Sequence, residues 1–405
     1  MSKYDFVRNN NLIMQARLLK EADMYPYFKE ISSNQSDTSI IDGKEVLMFG
    51  SNNYLGLNNH PEVKEASIQA IKKYGTSCTG SRFMNGTIDL HHKLENELAE
   101  WLGKERTIVF PTGFQVNTGV IPAMVGKNDY ILIDELDHAS IIDGCRMSMA
   151  QRIKYRHNSP MSLEQKLNHI SSKKGTKLIV TDGIFSMDGD IARLDKIVEV
   201  AKKHDAFTFV DCAHAIGVIG NHGAGTSSHY GVTDEVDLIG GTFSKSLASV
   251  GGFVAGSNDI IEYLNHASRT YMFSASLPPS STASALATLR VIRSDDSHRL
   301  RLWDNTLYAI RCMKEIGFDI GMAETPIIPI YVRDSVLTFQ IARDILKRGI
   351  YVNPVVAPGV KENDALLRFS LTAVHTKEQI DFAIENIAAV LKEHNILKGE
   401  LCQLR

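Results

Sequence analysis

Between about residue 100 and residue 260, six short β-rich runs alternate with segments of helical character. They occupy residues 107–110, 130–134, 177–182, 206–211, 236–240 and 252–255. Between two of them, Leu194, Ile197, Val198 and Ala201 recur at helical spacing. Runs this apolar, separated by helices, predict an α/β fold with a mostly parallel central sheet and helices on both faces. Ligands in such sheets bind beyond the carboxyl ends of the strands. The polar residues that follow each run are therefore the first places to look for chemistry.

The pair Pro278-Pro279 marks a break after the sheet region. Beyond it the pattern predicts a long helix from 282 to about 316, a strand at 327–332, a helix near 337–347 and a strand at 366–370. The closing helix opens with a capping box, Thr376 to Gln379, and has an apolar face of Ile380, Ile384, Ile387 and Leu391. This is a smaller C-terminal α+β lobe. The start of the chain is a partly helical arm, 11–24, followed by a hairpin around Asp42-Gly43. A chain of 405 residues is too long for one compact core. The expected organisation is an N-terminal arm (1–50), a large domain (51–290) and a small C-terminal domain (291–405).

Composition narrows the function classes. With 22% charged residues and a formal charge of −3, nucleic acid or an anionic membrane is not the expected main partner. Cys78, Cys145, Cys212, Cys312 and Cys402 are dispersed, with no CxxC pair. That argues against a disulfide framework or structural zinc and fits a reducing cytoplasm. No signal peptide is visible, and no run approaches the ~18–20 apolar residues that span a bilayer. Cytoplasmic localisation is expected, with peripheral contact at the inner membrane as the alternative.

The run 206–211 ends in Asp211, followed by Cys212, Ala213 and His214. A buried carboxylate is costly unless a cation or donors meet it. A protonated pyridine nitrogen would serve, and so would the amides of a helix that Asp211 merely caps. The run 236–240 leads into Gly241-Thr242-Phe243-Ser244-Lys245-Ser246. A lysine at a strand exit among small residues suits a desolvated Schiff-base nucleophile, although most lysines are solvated loop residues. Thr242 and Ser244 supply hydroxyls suited to a phosphate. Phe110-Pro-Thr-Gly113-Phe114 is a third strand exit, where N–H groups at a helix start can hold phosphate.

Other familiar sites are absent from the sequence. Gly220-Asn-His-Gly-Ala-Gly225-Thr226 has Walker-A glycine spacing without the lysine, and it does not match GxGxxG. There is no GxSxG elbow. His91 and His92 would project about 100° apart on a helix, a poor metal pair, and a solvated face is expected for them. No metal site is expected.

Taken together, Asp211-x-x-His214 and Thr242-x-Ser244-Lys245 lead to a family resemblance. From about residue 45 to the C-terminus the chain resembles the α-oxoamine synthases, fold-type I enzymes that use pyridoxal 5′-phosphate (PLP). The resemblance is carried by Ser51-Asn-Asn-Tyr-Leu-Gly56, Gly80-Ser-Arg-Phe-Met-Asn-Gly-Thr87, Asp134-Glu-Leu-Asp-His138-Ala-Ser140, Asp182-Gly-Ile-Phe-Ser186-Met-Asp-Gly-Asp190, Asp211-Cys-Ala-His214, Gly241-Thr-Phe-Ser-Lys245 and Leu367-Arg368-Phe-Ser370. Phe243–Phe253 and Phe273–Pro279 are most similar to the serine-using bacterial members. Glycine-using members usually have Gly or Ala where this chain has Ser244. The nearest competitor is 2-amino-3-ketobutyrate CoA ligase, which shares an element similar to Arg82-Phe-Met-Asn-Gly-Thr87.

The resemblance implies roles by position. Lys245 would carry PLP as a Schiff base and act in proton transfer, and Asp211 would pair with the pyridine nitrogen. His214 and Ser186 would lie near the phenolic oxygen. His138 would stack on the ring and reach the substrate carboxylate. Gly113, Phe114, Thr242 and Ser244 would hold the phosphate, joined by Ser274 from the partner subunit of an obligatory homodimer. Asn52 and Arg368 would position the amino-acid carboxylate, a task suited to the planar fork of arginine. The implied reaction joins L-serine to a long-chain acyl-CoA such as palmitoyl-CoA. It gives a 3-ketosphinganine-type product, CoA and CO₂, the opening step of sphingolipid synthesis. An aminotransferase and a non-catalytic partner subunit are the readings from other classes.

Overall fold

The computed structural model describes residues 3–397; Cys402 lies outside them. The chain divides into two units, one formed by Asn52–Trp303 and the other by Met1–Ser51 with Asp304–Arg405. In chain order the strands begin with β1 (Thr38–Ile41) and β2 (Lys44–Met48), the hairpin expected at Asp42-Gly43. The larger unit holds β3 (Arg106–Phe110), β4 (Tyr130–Asp134), β5 (Gln151–Tyr155), β6 (Lys177–Asp182), β7 (Phe207–Asp211), β8 (Leu238–Thr242) and β9 (Gly252–Gly256). The remaining strands are β10 (Ile327–Tyr331), β11 (Ile350–Tyr351), β12 (Asn353–Val355) and β13 (Leu366–Ser370).

The central sheet has the order β3-β9-β8-β7-β6-β4-β5. From β8 to β5 every neighbouring pair is parallel; β9 runs antiparallel to both β8 and β3. The central strands are apolar on both faces because helices cover both. Ile131, Leu132, Ile133, Leu178, Val180, Val210, Leu238 and Val254 are buried. The sequence pattern missed β5, whose Gln-Arg-Ile-Lys-Tyr is mostly exposed. As an edge strand with a single neighbour, it lacks the apolar signal that marks buried strands.

Register brings the strand exits to one edge. Asp182 at the end of β6 pairs with Asp211 at the end of β7, and Asp211 pairs with Gly240 of β8. Because β9 is antiparallel, its first residue Gly252 pairs with Thr242, and also with Phe110 at the end of β3. Five strands therefore present their site-bearing ends side by side.

Two expectations about helices need correction. The long helix expected from 282 is two helices, Pro279–Ser294 and Ser297–Ile316. Asp295 separates them by accepting hydrogen bonds from the backbone N–H and hydroxyl of Ser297, so the second helix starts on its own cap. The arm helix ends at Glu21, short of residue 24.

In the other unit, β10, β13 and β12 form an antiparallel sheet, and in a second, mixed sheet β2 pairs antiparallel with β1 and parallel with β11. The capping box at Thr376 and Gln379 is formed. Ile380, Ile384, Ile387 and Leu391 of that helix are fully buried. Among the described residues no helix is long and apolar enough to cross a membrane.

Candidate active site

At the strand-exit edge of the larger unit lies a pocket of about 360 Å³. Its wall includes Gly113, Phe114, His138, Ser186, Asp211 and His214, and on the β8 side Thr242, Ser244 and Lys245. Nine of the residues singled out from the sequence thus meet in one cavity. Thr112, Val116, Ser140, Asp182, Val250 and Gly251 complete much of the wall.

One end is built for an anion. The helix Gly113–Met124 begins here, capped by Thr112, whose hydroxyl accepts from the Gln115 N–H at 3.2 Å. The N–H groups of Gly113 and Phe114 have no partner inside the helix by geometry, and the helix N-terminus favours negative charge. A Cβ at Gly113 would lie 2.8 Å from both Cβ and Oγ1 of Thr242, so only glycine allows this approach. Thr242 and Ser244 hydroxyls sit 2.9 Å apart beside it.

Lys245 leaves the end of β8 on a tight turn. Ala248 N–H donates to the Lys245 carbonyl at 3.0 Å, and Ser249 N–H to that of Phe243 at 2.9 Å. The buried Phe243 and Leu247 anchor the turn on either side, so the partly buried lysine stem is directed by a fixed backbone.

Asp211 is buried and held by two donors. Asn117 Nδ2 donates to Oδ2 at 2.6 Å and the Ala213 N–H to Oδ1 at 2.9 Å. His214 Nδ1 is 2.7 Å from the hydroxyl of Tyr54, which also donates to Asn52 Oδ1 at 3.2 Å. His138 caps the helix Ala139–Ser148 and opens onto the pocket. Burial pushes its ring below the ordinary imidazole range; the Asp211 carboxylate works against this and the Lys245 charge adds to it. Its backbone N–H donates to Asp182 Oδ2 at 2.9 Å.

Behind His138 lies an acidic cluster. Asp137 accepts from the backbone N–H groups of Asp134 and Asp182. Burial, then repulsion between neighbouring carboxylates, raises Asp137 and Asp182 well above the usual range. His157 bridges Asp134 and Asp190 at 3.0 and 3.1 Å. Burial opposes its charge, but these two carboxylates outweigh burial and raise the ring to about 10.

Three residues singled out from the sequence do not line this pocket. Asn52 reaches it through Tyr54 and His214. Ser274 accepts from Gln115 Nε2 at 2.9 Å. Arg368 is on β13 of the other unit, buried, with a guanidinium hydrogen bond to Ser370. The sequence assigns no role to Asn117, which lies in no motif, or to Ser140 and Tyr54, which stand within the elements Asp134–Ser140 and Ser51–Gly56. The solvated face expected for the histidine pair holds only for His92. His91 is fully buried, accepts from the Ile88 N–H and bonds to the Leu277 carbonyl, and is lowered to about 4 by burial and then by Arg82. Among the described residues no group of side chains could hold a metal ion.

The pocket fits a phosphorylated pyridine. Its lining combines an anion cradle at a helix N-terminus, a fixed carboxylate, an imidazole and a lysine. Residues 44–387 match the family described as aminotransferase class I and II, and the chain belongs to it. The chain is 53% identical over 378 residues to a serine palmitoyltransferase of Sphingobacterium spiritivorum, covering 93% of this chain and 94% of the relative. It is 42% identical over 379 residues to an 8-amino-7-oxononanoate synthase of Thermoanaerobacter pseudethanolicus, covering 94% and 96%. Among solved structures, serine palmitoyltransferase from S. paucimobilis with a bound PLP–myriocin aldimine has a TM-score of 0.94 at 34% identity, covering 97% of this chain and 99% of that one. The resemblance read from Phe243–Phe253 and Phe273–Pro279 agrees with these relatives.

Proposed function

We propose that this chain is a PLP-dependent acyltransferase that condenses L-serine with a long-chain acyl-CoA such as palmitoyl-CoA. It releases CoA and CO₂ and forms 3-ketosphinganine, the first step of sphingolipid synthesis. The observation that carries this reading is the meeting of Lys245, Asp211 and His138 in one pocket beside the Gly113 cradle. The proteins it resembles include serine palmitoyltransferases over most of its length.

Asp211, fixed by Asn117 and Ala213, holds the protonated ring nitrogen. Gly113, Phe114, Thr242 and Ser244 hold the phosphate, with Ser274 supplied by the second subunit of a homodimer. Ser186 and His214, which line the same pocket, would lie near the phenolic oxygen. When bound, PLP withdraws the electron pair left at the substrate Cα by loss of a proton or of CO₂. Lys245 Nζ anchors the cofactor and then carries the Cα proton. His138 would cover the ring and, with Asn52, orient the serine carboxylate, the task that the family resemblance also gives to Arg368. The reaction belongs in the cytoplasm, where serine and acyl-CoA are at hand.

The glycine-using alternative shares the Arg82–Thr87 element. Here Arg82 is buried and committed to Glu95 by two hydrogen bonds of 2.6 and 3.0 Å. That is a structural ion pair, so the shared element does not favour glycine. The test is a panel of amino acids against short and long acyl-CoAs with product masses measured. Serine with palmitoyl-CoA is expected to be the best pair; preference for glycine with acetyl-CoA would overturn the reading.

A further inference from the structure

Asp211 and His138 are joined through two residues to which the sequence assigns no role, Asn117 and Ser140. Asn117 Nδ2 donates to Asp211 Oδ2 at 2.6 Å and to Ser140 Oγ at 2.8 Å. Ser140 Oγ is in turn 2.8 Å from His138 Nδ1. Asn117 and Ser140 are both almost completely buried, so water does not compete for these bonds.

The direction of every bond in this chain follows from donor and acceptor chemistry. A carboxylate accepts only, so Asp211 requires the amide NH₂ of Asn117 to face it. Turning the amide over would set its oxygen against the carboxylate. With one N–H spent on Asp211, the other points at Ser140 Oγ, which must accept. The single proton of that hydroxyl is then left for His138 Nδ1. The Ser140 backbone N–H approaches the same nitrogen, at 3.2 Å, as the cap of the helix. Nδ1 therefore faces two donors, and the ring proton belongs on Nε2.

We propose that Asn117 and Ser140 are positioning residues that lock His138 as the neutral Nε2–H tautomer, with a hydrogen-bond donor directed at the substrate carboxylate. The role of that donor rests on the reaction proposed above; the tautomer does not. One carboxylate thus serves two ends of the site. It would meet the ring nitrogen of PLP directly, and it sets the histidine proton through a relay. A histidine protonated on Nδ1 would present a lone pair to the substrate carboxylate and repel it. Burial, which holds the imidazole below its ordinary range, favours the neutral form on which the relay acts.

The experiment is nitrogen-15 imidazole NMR on the full-length protein labelled at histidine, before and after addition of PLP. The His138 signal is assigned by its loss in H138F. Wild type is expected to show a protonated Nε2 and a bare Nδ1. Ser140→Ala leaves only the longer backbone N–H contact on Nδ1, and is expected to admit a fraction of the Nδ1–H form and to raise the KM for serine about tenfold, the scale of one hydrogen bond. Its kcat should fall less. Ser140→Thr keeps the hydroxyl and should restore both. A wild-type ring protonated on Nδ1 would overturn the proposal without any variant, and so would an Ser140→Ala spectrum identical to wild type. A correct tautomer in a protein that does not use serine would instead remove the substrate reading and leave the relay standing.

Discussion

Asp211 and Asn117 meet through one short hydrogen bond, Nδ2 to Oδ2 at 2.6 Å, while the other carboxylate oxygen accepts from the Ala213 N–H. Both neighbours are donors, and that makes the position specific for an acid. In Asp211→Asn the new amide can accept from one of them, but its NH₂ must face the other. The variant also has no charge with which to hold a protonated ring nitrogen. It is expected to keep some PLP while losing about 3 kcal/mol of transition-state stabilisation, a fall in turnover of about a hundredfold. Steady-state kinetics of the PLP-saturated variant check this; near wild-type turnover would reduce Asp211 to a helix cap.

Lys245→Ala should abolish turnover and the absorbance band of lysine-bound PLP. The lysine stem is only partly buried and its turn is held by backbone bonds and by Phe243 and Leu247. Folding stability should therefore stay within about 0.5 kcal/mol of wild type. Retention of both band and activity would remove the central assignment.

The strand exits were legible in the sequence because a buried strand that ends in Asp211 or runs on to Lys245 contrasts sharply with its polar neighbour. Register then did what spacing alone could not, placing Asp182, Asp211 and Thr242 along one edge. Asn117 was not legible. It lies inside an apolar helix, 94 positions from the acid it orients, and an isolated buried amide carries no local signature. Ser140 reads as an ordinary first-turn serine until the structure shows Asn117 behind it. His91 failed for a related reason: its burial depends on the Leu277 carbonyl, 186 positions away.

Gly113→Ala tests the anion cradle. The added Cβ would stand 2.8 Å from Thr242 on the β-strand side, where neither backbone can yield freely. Displacement of the helix start by a few tenths of an ångström should weaken PLP binding about tenfold, a cost of about 1.4 kcal/mol within the range for overpacking. Absorbance titration of the PLP-free variant measures it, and unchanged affinity would show that the cradle is not where the phosphate sits.

His157 makes a prediction about pH. Its folded value of about 10 lies above the ordinary 6.5. A raised histidine contributes stability that is fully present below about pH 6.5 and is lost as pH rises through about 10. His157→Asn should therefore be less stable than wild type by about 2 kcal/mol at pH 6, the scale of hydrogen bonds between charged groups. The gap should narrow steadily toward pH 10. Denaturant unfolding of both proteins across that range decides it; a gap that widens with pH would mean that His157 is not charged in the folded state.

The last prediction concerns how the site chooses which bond to break. A serine held over the PLP plane can lose either its Cα–H proton or its carboxylate, and the bond that stands perpendicular to the plane is the one labilised. His138 opens onto the pocket with its Nδ1 side occupied by Ser140, so its remaining nitrogen is the one available to hold the carboxylate in the plane. A carboxylate held there would leave Cα–H as the bond to break and would suppress early loss of CO₂. His138→Phe preserves the stacking area and removes the hydrogen bond. The variant should still bind PLP, bind serine about tenfold more weakly, and leak into transamination or early CO₂ release. Product analysis with serine alone and with serine plus palmitoyl-CoA separates these outcomes. Condensation at the normal rate without by-products would mean that His138 only stacks, and that some other group holds the carboxylate in place.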